Sequence, residues 1–324
     1  MLFQFHKSHR AVNKAMTESA IFNLLNHGSG AIVLGVEVAV AISPPFGASN
    51  DIMPRNNFRR AATAFCALSA LTLAGCGAEP PAKPVGPGFT QIADDAVVSQ
   101  EKLADAIAPF FEDPAVGETR ALVVMQGGRI VAERYAPGYG PDTRLISWSM
   151  AKSVTAVLVG LMVADGRLAL DEPAIVTEWQ APRDNRAKIT LRHLLHMSSG
   201  LDHTEMAEGD IEIFDADTPR MLFLDGREHV ARYAETRPLE ANPGEKFEYS
   251  TATSHILADI MTRSLTDSKD PVVRRDAMLE YARGRLFEPL GLTSFVPEFD
   301  RNGTMLGGSM IHGTEIGRAS CRER

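Results

Sequence analysis

The pattern of apolar and polar positions predicts one domain of helices and strands between residues 93 and 314. Residues 100–111 place their apolar side chains on one face of an amphipathic helix. Residues 120–126 and 129–135 are apolar or alternating, as in half-buried strands, and two glycines between them are typical of a hairpin turn. This region therefore predicts a helix followed by an antiparallel hairpin.

A second helix is predicted for residues 149–164, which are apolar almost all around the helix axis. Such a helix is expected to be buried. We expect Gly166 to end it, because glycine readily adopts the left-handed conformation of a helix C-cap. Residues 190–260 combine loops and helices with many charges, and a further helix is predicted over residues 253–262.

A separate apolar run, residues 61–74, is too short to cross a bilayer, which needs roughly 20 residues. It follows a basic stretch and ends at Cys76 in Leu-Ala-Gly-Cys, which resembles a bacterial lipobox. Residues 53–76 thus predict a lipoprotein signal peptide acylated at Cys76, with a plain signal peptide as the alternative. We expect an exported protein at the periplasmic face of the cell envelope. It would be held to the membrane by this lipid anchor, and Gly77 favours the outer over the inner membrane.

The flanking segments set the remaining boundaries. Residues 77–92 begin with a Pro- and Gly-rich stretch and predict a tether. A signal peptide belongs at a start codon, so we expect Met53 to be the true start. Residues 1–52 would then be a misannotated upstream extension, with a genuine extension as the alternative. Residues 315–324 resemble a translated sequencing adapter, and we interpret them as an artefact rather than a genuine basic tail.

Composition narrows the function classes. The 324 residues are 44% hydrophobic and 23% charged, which is ordinary for a globular protein. The net charge of −8 argues against a nucleic-acid surface. No cysteine lies between residues 77 and 320, so neither a disulfide framework nor a thiolate metal site is expected in the main domain.

The candidate chemistry centres on Ser149 and Lys152, which lie three residues apart on one face of the predicted helix. A serine hydroxyl needs a base to become a good nucleophile, and a lysine amine can serve only if burial lowers its pKa. The same spacing occurs at Ser99 and Lys102, where we interpret Ser99 as the N-cap of a surface helix. Because Ser149 opens a buried helix, we predict this pair to be catalytic. In the alternative interpretation Lys152 extends to the surface.

Tyr249 is the third candidate. It follows a Pro-Gly turn and precedes a predicted helix. A tyrosine beside Ser149 and Lys152 could carry a proton. Alternatively, it is a structural tyrosine at the edge of the core.

Other chemistries have less support. His193, His196 and His203 with Asp202 could suggest a metal site, but the first two lie on a predicted helix and we expect core or surface histidines. The chain has neither a Gly-x-Ser-x-Gly turn nor a phosphate-binding glycine loop. We therefore expect neither a metal nor an organic cofactor.

Five blocks in order make the resemblance to a known family specific. They are residues 145–153 (LISWSMAKS), 165–173 (DGRLALDEP), 189–201 (ITLRHLLHMSSGL), 242–250 (NPGEKFEYS) and 286–292 (LFEPLGL). This succession resembles the serine hydrolase family of class C β-lactamases, D-alanyl-D-alanine carboxypeptidases and related esterases. It is most similar to the 6-aminohexanoate-dimer hydrolase and esterase branch.

The resemblance implies a fold and a set of roles. The fold would be α+β, of the β-lactamase/transpeptidase type. It has an antiparallel sheet flanked by helices, a mainly helical region over residues 171–266, and the active site between these parts. Ser149 would be acylated, Lys152 would be its general base and Tyr249 would relay a proton to the leaving group. The backbone amide of Ser149 would be one oxyanion donor.

The sequence departs from the family's pattern in two ways. The family's Tyr-x-Asn ends here in Thr251, which has no amide for a substrate and therefore favours ester over β-lactam hydrolysis. The third motif, on a C-terminal strand that supplies the other oxyanion donor, is not found, and we interpret residues 312–313 (His-Gly) as loop. We therefore expect the domain at residues 93–314 to be partial. The hairpin would keep an unpaired edge, and the 324-residue chain would be inactive and poorly folded.

These observations predict a serine hydrolase that cleaves a small ester or amide. The alternative from another class is a non-catalytic or weakly catalytic envelope lipoprotein that binds peptidoglycan peptides or penicillins. The sequence leaves the substrate and the oligomeric state open.

Overall fold

The computed structural model describes the backbone of residues 37–43, together with residues 90–94, 96–206, 212–315 and 317. The chain divides after Gly140 into two compact units. The predicted signal peptide with Cys76 and most of the predicted tether lie outside the described residues, as does almost all of the segment 315–324. The expectations about export and about these segments therefore stay predictions.

The first unit is a four-stranded antiparallel sheet with one helix. Its elements are β1 (Glu37–Ser43), β2 (Thr90–Ile92), helix α1 (Gln100–Glu112), β3 (Glu118–Gln126) and β4 (Arg129–Tyr135), and the strand order is β1-β3-β4-β2. The predicted helix and hairpin are confirmed to within two residues at each end. Gly127 and Gly128 both have positive φ, as the predicted tight turn requires.

The hairpin does not keep an unpaired edge, so that expectation is wrong. Strand β1 pairs with β3, and β2 pairs with β4. These two strands lie in the segments for which the sequence predicts an upstream extension (residues 1–52) and a tether (residues 77–92). Their hydrogen bonds satisfy the edge groups that β3 and β4 would otherwise expose.

The core of the first unit lies between α1 and the sheet. Leu103, Ile107 and Phe110 face Leu122 and Val124 of the sheet, and all five are buried. The hydroxyl of Ser99 accepts a hydrogen bond from the amide of Lys102 at 3.5 Å, which confirms Ser99 as the N-cap of α1.

The second unit is mainly helical. Its helices are α2 (Ala151–Ala164), α3 (Leu191–Leu195), α4 (Asp217–Phe223), α5 (Val230–Glu235), α6 (Thr251–Leu265) and α7 (Pro271–Ala282), and its strands are β5 (Val296–Pro297) and β6 (Ile311–His312). Short 3-10 helices span Trp148–Met150, Thr177–Trp179 and Asn185–Lys188, and a π-helical turn spans Arg283–Phe287. Every element within residues 171–206 and 212–266 is helical, as predicted.

Helix α6 is the central element of this unit. Its residues 251–262 are all buried, and α2, α3, α5 and α7 pack against it. The surrounding core includes Leu158, Trp179, Ile256 and Met278, each no more than 1% exposed. The first turn of α2, which carries Lys152, and the start of α6 are thereby held against a packed interior.

Two predictions about this unit need correction. Helix α2 is not buried all round, since Ala156, Val157 and Gly160 are exposed and Val157 retains 42% of its accessible surface. An apolar composition does not specify which face meets a neighbour. His312 is not in a loop but in β6, where it pairs with Val296 of β5.

The predicted end of α2 is confirmed. Gly166 has a φ of +71°, and the amides that follow the helix return to carbonyls of its last turn, as in a glycine C-cap. None of the helices in the part of the chain that the structure describes is long and apolar enough to span a bilayer.

Candidate active site

Ser149 lies in the 3-10 turn that leads into α2. The preceding residue, Trp148, has a φ of +44°, a conformation that is strained for a bulky side chain and is often found at active sites. The hydroxyl of Ser147 accepts a hydrogen bond from the amide of Ile311 at 3.1 Å and approaches the carbonyl of Ser309 at 3.3 Å. The turn that carries Ser149 is thus held against the segment 305–312.

Lys152 points from the first turn of α2 back to this serine. Its amine donates hydrogen bonds to the Ser149 hydroxyl at 3.2 Å, the Thr251 hydroxyl at 2.8 Å and the Gly308 carbonyl at 2.8 Å. Burial lowers the pKa of Lys152 to about 8, although the negative charge of Glu205 acts to raise it. Lys152 is therefore not a side chain that extends to the surface.

Tyr249 is placed by the residues on either side of it. Ser250 follows it as the N-cap of α6 and accepts a hydrogen bond from the amide of Thr253. Before it, the amide of Glu248 donates to the carbonyl of Met197 at 2.7 Å, and the amide of Gly244 donates to the carbonyl of Ser198 at 2.8 Å. These two hydrogen bonds fix the Pro-Gly turn at residues 243–244 to the Ser-Ser-Gly segment at residues 198–200.

Gly200 makes this contact possible. Its φ is +75°, and a Cβ atom at this position would lie 2.3 Å from the backbone oxygen of Ala241. Only glycine lets the two segments approach this closely.

The side chain of Tyr249 lies beside those of Ser149 and Lys152. The Lys152 amine lies 5.0 Å from the centroid of its ring, and a side-chain hydrogen bond links Tyr249 to Ser149. Burial raises the pKa of Tyr249, so its phenol is protonated at neutral pH. The structure thus brings together the three side chains predicted from sequence.

Glu205 is a site residue that the sequence reasoning missed. Its carboxylate accepts hydrogen bonds from the amide of Thr251 at 2.7 Å, the hydroxyl of Thr251 at 2.5 Å and the hydroxyl of Thr218 at 3.0 Å, and it contacts the His203 ring at 3.0 Å. Burial raises its pKa, but the His203 contact, the charge of Lys152 and the Thr251 bonds together lower it to about 2. Nothing in the local sequence signals that this carboxylate contacts a residue 46 positions later.

The pair Gly307 and Gly308 was also missed. A Cβ atom at Gly307 would lie 2.5 Å from the Thr155 hydroxyl, which donates a hydrogen bond to the Gly307 carbonyl. A Cβ atom at Gly308 would lie 2.9 Å from a methyl carbon of Thr251. The adjacent glycines themselves were the available signal, because close backbone approach to a site favours glycine.

The histidines considered for a metal site have other contacts. His193 forms a reciprocal capping box with Thr190 at the start of α3, and His196 ends that helix. His203 contacts Glu205 and Thr218. The amide of Asp202 donates to the carbonyl of Pro238.

Comparison with known proteins assigns the family. A family model described as Beta-lactamase matches residues 113–301, more than half of the chain. The chain belongs to the beta-lactamase family. The resemblance inferred from the five sequence blocks is thereby confirmed, together with the α+β fold of the β-lactamase/transpeptidase type.

Two named proteins are similar to this chain over about half of its length. Over 45% of this chain, the sequence is 26% identical to a 6-aminohexanoate-dimer hydrolase of Paenarthrobacter ureafaciens. Over 52% of this chain, it is 29% identical to Esterase EstB of Burkholderia gladioli. The matched regions span only 38% and 43% of those relatives. A solved structure named "Putative 6-aminohexanoate-dimer hydrolase from Bacillus anthracis" aligns with a TM-score of 0.51 at 19% identity, covering 70% of this chain and 56% of that one.

Proposed function

We propose that this member of the beta-lactamase family hydrolyses a small ester or amide through a covalent acyl-enzyme on Ser149. The observation that carries the proposal is the 3.2 Å contact between the Lys152 amine and the Ser149 hydroxyl, made by a lysine whose pKa is lowered to about 8 by burial. At neutral pH this shift raises the neutral fraction of the amine from about one in 3,000 to about one in 10. Enough neutral amine is then present to act as a base.

In the proposed mechanism, Lys152 and Tyr249 transfer the protons at each step. Neutral Lys152 takes the Ser149 proton as the serine oxygen bonds to the substrate carbonyl carbon. The protonated phenol of Tyr249 gives its proton to the leaving alcohol or amine as the scissile bond breaks, and it regains one from Lys152. Water then attacks the acyl-enzyme with the same groups acting in reverse, which releases the acid and free Ser149. Each turnover consumes one water and no cofactor.

An ester is the favoured substrate class. Thr251 places a hydroxyl on Lys152 where the family's pattern has an asparagine, so the position offers no amide to a substrate. The relatives named Esterase EstB and 6-aminohexanoate-dimer hydrolase support the broader class of small esters and amides.

The direct test is hydrolysis of p-nitrophenyl esters by a chain that also carries the family's third motif, here called the full-length protein, and by its variants. We expect Ser149→Ala to abolish turnover, and Lys152→Ala to lower it by roughly 10²–10⁴ through loss of the general base. Ser99→Ala is the matched control, because it removes the serine of the other Ser-x-x-Lys sequence. It should keep full activity and cost at most about 1 kcal/mol of stability.

The same variants separate the enzyme from the alternative, a non-catalytic envelope lipoprotein. An enzyme should react covalently at Ser149 with a fluorophosphonate or a fluorescent penicillin. A binding protein without catalysis should take neither label at Ser149. Absence of both labels from a folded protein would contradict the proposal.

We also propose that the 324 residues by themselves are inactive or nearly so, because the family's third motif is not found in them. Loss of one oxyanion donor costs roughly 10²–10³ in rate. A chain that also carries this motif should exceed the 324-residue chain by about that factor. Equal turnover of the two would contradict this part of the proposal.

A further inference from the structure

The carboxylate of Glu205 lies beside the first turn of α6 and binds both the amide and the hydroxyl of Thr251. One oxygen accepts from the Thr251 hydroxyl, and the other accepts from the Thr251 amide at 2.7 Å. Because its pKa is lowered to about 2, Glu205 is ionised at any pH where the proposed chemistry operates. An ionised carboxylate has no proton and can only accept hydrogen bonds.

This contact fixes the direction of the Thr251 hydroxyl. A hydroxyl has one proton, and Thr251 gives it to Glu205. Toward Lys152, 2.8 Å away, Thr251 can therefore present only a lone pair. The Gly308 carbonyl, also 2.8 Å from the amine, is an acceptor by its nature.

The arrangement determines where the lone pair of a neutral lysine can point. A neutral amine has two protons and one lone pair, and two of its three neighbours accept only. The third neighbour, the Ser149 hydroxyl, can donate. The Tyr249 phenol is hydrogen-bonded to Ser149, and its ring centroid lies 5.0 Å from the amine. Both amine protons are thus used on Thr251 and Gly308, and the lone pair is directed at Ser149.

We propose that Glu205 is a positioning residue that acts through Thr251 to aim the lone pair of Lys152 at Ser149. This inference rests on the proposed function, in which Lys152 is the base. Without Glu205, the Thr251 hydroxyl is free to turn and donate its proton to the amine. The lone pair that should accept the Ser149 proton would then be occupied.

The charge of Glu205 has a second, separable effect on Lys152. It raises the pKa of this amine against the effect of burial. Among the described residues, the other titratable groups that face this region are Tyr249, His203 and His255. Burial raises the pKa of Tyr249 and lowers that of the fully buried His255 to about 3, so both are neutral near pH 7. Removal of the Glu205 charge should therefore lower the pKa of Lys152.

The experiment measures kcat and KM for p-nitrophenyl acetate in the full-length protein from about pH 6 to pH 10, across the Lys152 pKa. The variants are Glu205→Gln, Thr251→Val and Thr251→Ser, each close in shape to the original residue. The matched control is Thr262→Val, which removes a buried hydroxyl from the same helix, where it bonds only to the Ala258 carbonyl. Thermal unfolding identifies any variant that fails to fold.

We expect Glu205→Gln and Thr251→Val to lower kcat at its high-pH plateau by roughly 10–100-fold, with KM little changed, because the base is misdirected. Glu205→Gln should in addition move the acidic limb of the pH profile to lower pH. Thr251→Ser should restore the plateau to within about threefold, since it keeps the hydroxyl. Thr262→Val should match the parent.

Three results would overturn the proposal. They are an unchanged plateau and pH limb in Glu205→Gln, a Thr251→Val variant as active as Thr251→Ser, or a Thr251→Ser variant as impaired as Thr251→Val. If Glu205→Gln does not fold, the two Thr251 variants decide alone. Failure of the underlying function is distinguishable, because Ser149→Ala or Lys152→Ala would then retain turnover.

Discussion

The carbonyl of Gly308 accepts a hydrogen bond from the Lys152 amine at 2.8 Å, across 156 positions of the chain. The adjacent Gly307 carbonyl accepts another from Thr155, one turn further along α2. The backbone of the segment 305–312 therefore supplies part of the lysine's surroundings. A side chain at Gly308 would disturb this contact, because its Cβ atom would lie 3.0 Å from the Thr251 carbonyl and close to His255.

We predict that Gly308→Ala lowers ester turnover by roughly tenfold or more, because displacement of the carbonyl misplaces the Lys152 amine. Gly160→Ala is the matched control. Gly160 lies on the exposed face of α2, and a Cβ atom added there would meet no neighbouring atom within 4 Å. This control should keep full activity and gain about 0.5–1 kcal/mol of stability from better helix propensity. A fully active Gly308→Ala variant would show that the Gly308 contact does not matter.

The pH dependence of catalysis should report the titration of Lys152. Because burial lowers its pKa to about 8, kcat/KM for an ester should rise with pH and level off above that value. The measurement is a pH profile corrected with Ser149→Ala for background hydrolysis. A limb centred near about pH 10, the pKa of an unperturbed lysine, would contradict a buried amine as the base.

The same lowered pKa makes the stability depend on pH. The folded-state pKa of Lys152 is about 8, below its unfolded value of 10.5, so between these values the unfolded chain binds more protons. Stability should therefore rise with pH across this window, by about 3 kcal/mol from this group. Lys152→Met should remove that contribution, as measured by denaturant unfolding at several pH values. Parallel stability curves for the parent and the variant would contradict it.

The sequence predicted the parts of the site that depend on short-range pattern. Ser149 and Lys152 follow from helix geometry, and the Ser99 cap from its place before a surface helix. Glu205 and Gly308 could not be predicted in this way, because each reaches Lys152 or Thr251 through long-range packing of separate segments. The exposed face of α2 was missed for a related reason, since apolar residues such as Val157 indicate burial only on average.

The prediction of export depends on Cys76. A protein expressed from Met53 in a Gram-negative host should be cleaved before Cys76, incorporate labelled palmitate and fractionate with the outer membrane. Cys76→Ser should abolish the palmitate label, because the acylated sulfur is gone. The label is followed by autoradiography of membrane fractions. Palmitate incorporation that persists in Cys76→Ser would show that the acylated residue is not Cys76.

The proposed function depends on acylation of Ser149, activated by Lys152. The most direct measurement is peptide mass spectrometry of the full-length protein after reaction with a fluorophosphonate at about pH 9, where Lys152 is neutral. We predict a single adduct on Ser149 that is lost in Ser149→Ala and forms roughly 10²–10⁴ times more slowly in Lys152→Met. An adduct on Ser99 or on any other residue, with Ser149 unmodified in a folded protein, would show that Ser149 is not the nucleophile.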